Sequence, residues 1–231
     1  MANVPGAMPQ VAGWSFRSLD GLTMGWYPVT LQLAGRRCLV IGGGAVAERK
    51  VEGILAAGAD VTVISPRLTR RLADRAAARS IVHRARVYRR GDVRGFVLAF
   101  AATGDTAVNA AVCHDSRRHG VWVNAADDPA HCDFILPSVL RRGELTVAVA
   151  TGGTAPALAR ALRGDLQRRL GHDYAVLAGV MAEVRRELRA RGQAPDASTW
   201  RRALDVPLRR LAARGRRPEA RRRLLARLGA S

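Results

Sequence analysis

Residues 38–50 read CLVIGGGAVAERK, with three consecutive glycines between a short apolar run and a segment with helical spacing. The run at 38–41 predicts a buried strand, and the apolar positions of 45–57 predict a helix. A second apolar run, DVTVIS at 60–65, completes a β-α-β unit of just under about 30 residues. The glycines therefore lie at a strand-to-helix junction, where missing side chains let another group approach the backbone.

The glycine stretch fits the pattern G-x-G-x-x-A, in which Gly42 allows the tight turn and Gly44 lets the backbone approach phosphates. Ala47 would let the helix pack closely against the sheet. A simple tight turn is the alternative, but the position inside a β-α-β unit favours a dinucleotide. The sequence thus predicts a pyrophosphate at the helix N-terminus, where backbone N–H groups and a partial positive charge meet it.

The end of the second predicted strand bears on the choice of dinucleotide. An NAD-binding fold usually has Asp or Glu there to bind the ribose hydroxyls, whereas this chain reads Ser65-Pro66-Arg67. Arg67 would suit the 2′-phosphate of NADP, or it is simply a solvated residue in a first helical turn. The sequence leaves both dinucleotides open.

Beyond this unit, strand-like and helix-like segments alternate as far as Asn124, which predicts a parallel sheet covered on both faces. FILPSVL and LTVAVAT then flank RRGE and predict an antiparallel hairpin, and the chain reads as helical from Thr154 onward. The expected fold class is α/β, a Rossmann-like sheet domain followed by a hairpin and a helical domain. We expect a loose extension over 1–24, a dinucleotide-binding domain over 25–126, a hairpin segment over 127–153 and helices over 154–231.

Composition excludes several classes of protein. The chain has 231 residues, 48% of them hydrophobic, so it can bury a core. Its longest apolar runs are much shorter than the ~20 residues that span a bilayer, and its start has no signal-peptide pattern. We therefore expect a cytoplasmic protein without a membrane span. Three scattered cysteines predict neither a disulfide framework nor a zinc site.

The net charge of +19 is uneven, because residues 161–231 carry 18 basic and 7 acidic side chains. Such an excess attracts polyanions, including nucleic acid, phosphorylated cofactors and polycarboxylate substrates. Every basic residue except Lys50 is arginine, so a compositional bias explains the charge equally well.

Four segments in order resemble a known family: YPVTLQLAGRRCLVIGGGAVAERKVEGILAAGADVTVISP, AATGDTAVN, VNAADDPAHCDFILPS and VAVATGGTAPALAR. Between about Tyr27 and Arg169 the chain is similar to the precorrin-2 dehydrogenase and sirohydrochlorin ferrochelatase family, the NAD-dependent module of siroheme synthase. The resemblance implies oxidation of precorrin-2, a tetrapyrrole with many carboxylates, by hydride loss to NAD. We expect no methyltransferase domain of the kind fused in the multifunctional members, so the methylation steps would belong to another protein.

The resemblance also implies roles for individual residues. Asp127 stands at the position of the family's catalytic aspartate, with Asp128 as the residue it is easily confused with. Thr154 and Ala155 depart from the family's usual Lys-Ser, and Thr154 reads equally well as a helix cap. The remaining residues implied to contact the dinucleotide are Gly42, Gly44, Ala45, Val46, Pro66, Arg67 and Thr103. Those implied to contact the tetrapyrrole are Asn124, Thr151, Gly152 and Gly153.

The leading prediction is a precorrin-2 dehydrogenase that works as a homodimer, and Fe(II) insertion into sirohydrochlorin stays open. The five histidines match no metal cluster, so iron would be a transient substrate. The alternative is a dinucleotide-sensing regulator whose basic tail binds nucleic acid. Only 5% of residues are aromatic and no recognition helix is evident, which makes nucleic acid the weaker prediction.

Overall fold

The computed structural model of the protein describes residues 25–126 and 128–230. The chain divides into the units Met1–Thr30 and Leu31–Ser231, and residues 25–30 of the first lie outside helices and strands. The second unit contains strands β1 to β7 and helices α1 to α8. In chain order these are β1 Arg37–Ile41, α1 Ala45–Leu55, β2 Asp60–Ile64, α2 Arg70–Ala77, β3 Val82–Arg84, β4 Leu98–Ala101, α3 Thr106–Arg118, β5 Trp122–Ala125, β6 Ser138–Arg142, β7 Leu145–Val149, α4 Pro156–Arg169, α5 His172–Ala190, α6 Ala197–Ala203, α7 Val206–Ala213 and α8 Arg217–Arg227.

Strands β1 to β5 form a parallel sheet in the order β3-β2-β1-β4-β5. Strand β1 is central, and its last residue Ile41 pairs with Ile64 of β2 on one side and Ala101 of β4 on the other. The strand order reverses at β1. A crevice therefore forms at the carboxyl ends of β1 and β4, the place where such sheets bind ligands.

Alternate residues of β1 face opposite sides of the sheet. Cys38 and Val40 pack with α1 and α2 in one apolar cluster, and Leu39 and Ile41 pack with α3 in another. Because the strands are covered on both faces, they read as continuous apolar runs. The predicted Rossmann-like sheet is confirmed.

The predicted hairpin is confirmed, although its first strand begins at Ser138 and not at Phe134. Phe134 instead contacts Phe100 of the sheet edge to face, with ring centroids 5.4 Å apart. The turn is also tighter than RRGE suggests, because Arg142 pairs with Leu145 and only Gly143 and Glu144 lie between the strands. A φ of 56° at Gly143 explains why glycine stands there.

The helical region after the hairpin has a core of its own. Val180 and Val184 of α5 are fully buried against leucines of α7 and α8. Arginines of α8 form ion pairs with acidic residues of α5 and the start of α7, and those pairs are Arg217–Glu183, Arg221–Glu187 and Arg223–Asp205. Some of the arginines of residues 161–231 thus form ion pairs between helices.

Across residues 25–126 and 128–230, the structure has no helix with the length and apolar character to cross a membrane.

Candidate dinucleotide and substrate site

The first two glycines of the loop between β1 and α1 are required by the protein's own backbone. Gly42 has a φ of +118°, and a Cβ there would lie 2.2 Å from the carbonyl oxygen of Ala102. A Cβ on Gly43 would lie 2.0 Å from the carbonyl oxygen of Arg67. Side chains are excluded at both positions. The G-x-G-x-x-A pattern allows any residue at position 43. Glycine is required there because the turn after β2 leaves no room for a side chain.

Gly44 has a different environment. Its φ of −86° is open to any residue, and it occupies the N-cap of α1 without a side-chain hydrogen bond. Apart from its chain neighbours, no described atom lies within 4 Å of a Cβ built there. The space in front of the helix is therefore open, and the first N–H groups of a helix have no partner within it. Ala45 is exposed and Val46 is half-buried at this end. The arrangement fits a phosphate group.

The turn after β2 forms one wall of this space. The buried Ser65 donates a hydrogen bond from Oγ to the carbonyl oxygen of Arg67 at 2.7 Å, which holds that carbonyl over Gly43. The side chains of Pro66 and Arg67 are exposed. Sequence reasoning gave Ser65 no role, since its partner is a backbone atom whose position depends on the fold.

The opposite wall follows β4. Thr103 follows the strand, and its backbone nitrogen would lie 3.2 Å from a Cβ on Gly42. Its hydroxyl donates to Oδ1 of Asn109 at 2.8 Å, and Nδ2 of Asn109 donates to its carbonyl oxygen at 3.1 Å. Asn109, on the first turns of α3, therefore fixes both side chain and backbone of Thr103. The predicted dinucleotide residues converge at one edge of the sheet.

The segment after β5 leaves the sheet and returns to it. The Asp133 N–H donates to the Val123 carbonyl at 2.8 Å, and the Val123 N–H donates to Oδ2 of Asp133 at 2.9 Å. We call residues 126–132, which lie between these bonds, the β5 loop. Asp127 lies in this loop and outside the described residues. Its neighbour Asp128 is partly exposed and pairs through Oδ2 with Nδ1 of His131 at 2.7 Å.

Asn124 lies beneath the β5 loop and is only 6% exposed. Its Oδ1 accepts a hydrogen bond from Nζ of Lys50 at 2.9 Å, and its Nδ2 donates to the carbonyl oxygen of Phe134 at 3.0 Å. The thiol of Cys132 lies 3.6 Å from the same Nδ2, and burial raises the pKa of this thiol. The contacts of Asn124 are internal ones, and binding of substrate by this residue stays a prediction.

The loop predicted for the tetrapyrrole connects β7 to α4. Gly152 and Gly153 have φ values of 62° and 84°, and a Cβ on Gly153 would lie 3.8 Å from Cβ of Pro129. This loop therefore lies beside the β5 loop. The prediction that Thr154 caps α4 is wrong, because Thr154 donates from Oγ1 to the Thr151 carbonyl and the helix starts later.

Two cavities border the unit. One, of about 310 Å³, lies between the hairpin and α4 and is lined by Thr151, Gly153 and Arg160 among others. The other, of about 370 Å³, includes Arg36, Leu98 and Trp122 at the amino ends of the strands. Ligands of such sheets bind at the carboxyl ends, so the smaller cavity is the better candidate for a substrate. The described residues contain no group of three or more His, Cys, Asp or Glu placed to hold a metal ion.

Comparison with known proteins agrees with this geometry. Residues 29–138 match a family model described as NAD(P)-binding. The siroheme synthase of Methylococcus capsulatus is 41% identical over 204 residues, which are 87% of this chain and 43% of that protein. The chain belongs to the same family as the part of siroheme synthase that it matches. The siroheme synthase of Methylobacillus flagellatus is 43% identical over 71% of this chain and 35% of its own length. The chain therefore spans less than half the length of each of these two proteins.

The fold also matches a solved structure, that of SirC, precorrin-2 dehydrogenase. The TM-score is 0.73 at 24% identity, over 89% of this chain and 100% of that one. The likeness confirms the architecture of sheet, hairpin and helices.

Proposed function

We propose that the protein oxidises precorrin-2 to sirohydrochlorin with a nicotinamide dinucleotide. The observation that carries the proposal is the open space in front of Gly44, at the N-terminus of α1 and at the point where the strand order reverses. Membership of the same family as part of siroheme synthase, together with the fold of a precorrin-2 dehydrogenase, supports the choice of substrate.

Two loops at this edge of the sheet would share the reaction, the glycine loop between β1 and α1 at the dinucleotide and the β5 loop at the proton acceptor. A bound dinucleotide would accept a hydride from the macrocycle. The macrocycle must also lose a proton, and the family position assigns its acceptance to the carboxylate of Asp127. The residue before Asp127 supports this role, because the Ala126 N–H donates to the Ala101 carbonyl at 2.8 Å and ties the start of the β5 loop to β4.

Charge and shape support the proposed substrate side. A substrate with many carboxylates suits a protein of net charge +19. The loop Thr151–Gly153 presents backbone without bulky side chains beside Pro129, and Arg160 lines the adjoining cavity. We infer that this loop and cavity hold part of the tetrapyrrole.

We infer that NAD is the dinucleotide used, by resemblance to the family, with Arg67 as the residue that would favour NADP. Fe(II) insertion into the product would be a second reaction, with iron as its substrate. A cytoplasmic location stays a prediction from the sequence.

We also propose a homodimer. The apolar face of α5 does not provide the interface, because the chain's own helices cover it. The support comes from Leu158 and Leu162 of α4, which are 52% and 42% exposed, and from Val139 of the hairpin at 39%. Adjacent exposed apolar side chains of this size mark a contact surface. A monomer in light scattering at micromolar concentration would contradict the proposal.

One anaerobic assay tests the function. Precorrin-2 is added with NAD or NADP, and absorbance of the reduced dinucleotide and of sirohydrochlorin is followed before Fe(II) is supplied. We expect equal amounts of both products, and siroheme afterwards if the protein inserts iron. Dinucleotide binding without turnover would refute the proposal and favour the sensing alternative.

A further inference from the structure

Lys50 is the single lysine of a chain that has 38 basic residues. The side chain is half-buried on α1, and it points across the sheet and not into solvent. Its Nζ lies 5.9 Å from the ring centroid of Phe100 in β4 and donates to Asn124 of β5.

The bonds around Asn124 fix the orientation of its amide. A lysine ammonium can only donate and a backbone carbonyl can only accept, so Oδ1 must face Lys50 and Nδ2 must face Phe134. Lys50 is therefore the first member of a chain of hydrogen bonds from α1 through β5 to the segment that follows the β5 loop. The edge-to-face contact of Phe134 with Phe100 reinforces the far end.

Both ends of the β5 loop depend on this connection. Asn124 lies two residues before the loop and Phe134 two residues after it, and the neighbouring residues Val123 and Asp133 are joined by reciprocal bonds. The same helix α1 carries the open dinucleotide space at its first turn. A shift of Asn124 relative to α1 would thus move the whole loop relative to the dinucleotide.

We propose that Lys50 is a positioning residue that sets the distance between the dinucleotide and the β5 loop. This inference rests on the proposed function. Lysine suits the role because it is a compact donor on a flexible stem, whereas arginine would bring a rigid fork of five N–H groups into a half-buried site. Misplacement of reacting groups by 1 Å can cost about 10²-fold in rate.

The test compares Lys50→Met and Lys50→Arg with Arg49→Lys, an exposed neighbour on the same helix. We expect both Lys50 variants to lose about 10- to 100-fold in kcat for precorrin-2 oxidation. Their dinucleotide affinity by calorimetry should stay within about twofold of wild type, since the first turn of α1 is unchanged. Arg49→Lys should behave as wild type.

Hydrogen exchange followed by mass spectrometry provides a second readout that needs no turnover. In both Lys50 variants, peptides covering 123–134 should exchange at least about tenfold faster, while those covering β1 stay as slow as in wild type. Equal acceleration in β1 would show a general loss of stability and overturn the inference, as would unchanged exchange at 123–134. If Lys50→Met fails to fold, Lys50→Arg carries the test. An inactive wild-type protein would instead refute the proposed function and leave the exchange result valid.

Discussion

Replacing Gly44 by aspartate should abolish dinucleotide binding and leave the fold intact. The backbone at Gly44 has an ordinary φ of −86°, and no described atom beyond its chain neighbours lies within 4 Å of the new Cβ. Aspartate is also a favourable N-cap, and it costs helix stability nothing relative to glycine. The variant should therefore melt at or slightly above the wild-type temperature.

The loss of affinity follows from charge. A carboxylate on Gly44 would stand about 4 Å from a phosphate bound at the helix N-terminus, where like charges repel by about 4 kcal/mol at an effective dielectric constant of 20. That free energy corresponds to a dissociation constant that is roughly 10³-fold higher. Gly44→Ala, which adds bulk without charge, should fall between this variant and wild type.

Gly43→Ala is the matched control, because its Cβ would lie 2.0 Å from the Arg67 carbonyl oxygen. This clash forces the backbone to move and should destabilise the protein by about 1–3 kcal/mol. Calorimetric titration with NAD and thermal melting, applied to all three variants, check both expectations. Unchanged affinity in a folded Gly44→Asp protein would refute the phosphate site, and a Gly43→Ala protein as stable as wild type would refute the steric argument.

Four further variants test the chemistry and the helical region. Asp127→Asn should lower the rate of precorrin-2 oxidation by about 10²–10⁴-fold with little change in dinucleotide affinity, because it removes a general base, and Asp128→Asn should change the rate much less. Arg67→Glu should lower any affinity for NADP, measured by calorimetry, and leave that for NAD equal or higher, because a carboxylate repels the 2′-phosphate and can accept bonds from ribose hydroxyls. The hydrogen bond from Arg223 lowers the pKa of Asp205 below its ordinary value, although burial acts in the opposite direction, so ionised Asp205 stabilises the folded state above the ordinary pKa of an aspartate. This stabilisation should be lost as the pH falls through the lowered pKa, and thermal melts should show a smaller loss in Asp205→Asn.

The sequence signals of residues 38–65 are local, which is why the strand, glycine turn, helix and second strand could be predicted. A run of apolar residues, a glycine and a helical spacing each act within a few positions. The roles of Gly43 and Ser65 could not be predicted in this way. Both residues contact the Arg67 carbonyl, and the position of that carbonyl depends on how the turn folds. The start of the hairpin was missed for a similar reason, since Phe134 has strand-like sequence but packs on Phe100.

Asn124 shows the same limit for the candidate site. Its place in a family motif put it on the substrate side, whereas its bonds to Lys50 and Phe134 lie beneath the loop. Lys50 lies 74 residues before Asn124 along the chain, and the packing of α1 on a sheet that pairs β1 with β4 and β4 with β5 brings the two side chains together. Residues whose function depends on such distant partners need the structure.

The close contact between Gly43 and the turn after β2 bears on the thermodynamics of cofactor binding. The carbonyl of Gly43 accepts a hydrogen bond from the N–H of Thr69 at 2.8 Å, and the Thr69 hydroxyl donates to Glu48 at 2.6 Å. Glycine loop, α1 and α2 are thus joined before any ligand arrives, so the cradle is preorganised and little ordering entropy opposes association. Calorimetry should accordingly give a small heat-capacity change for dinucleotide binding, without the large negative value that accompanies coupled folding.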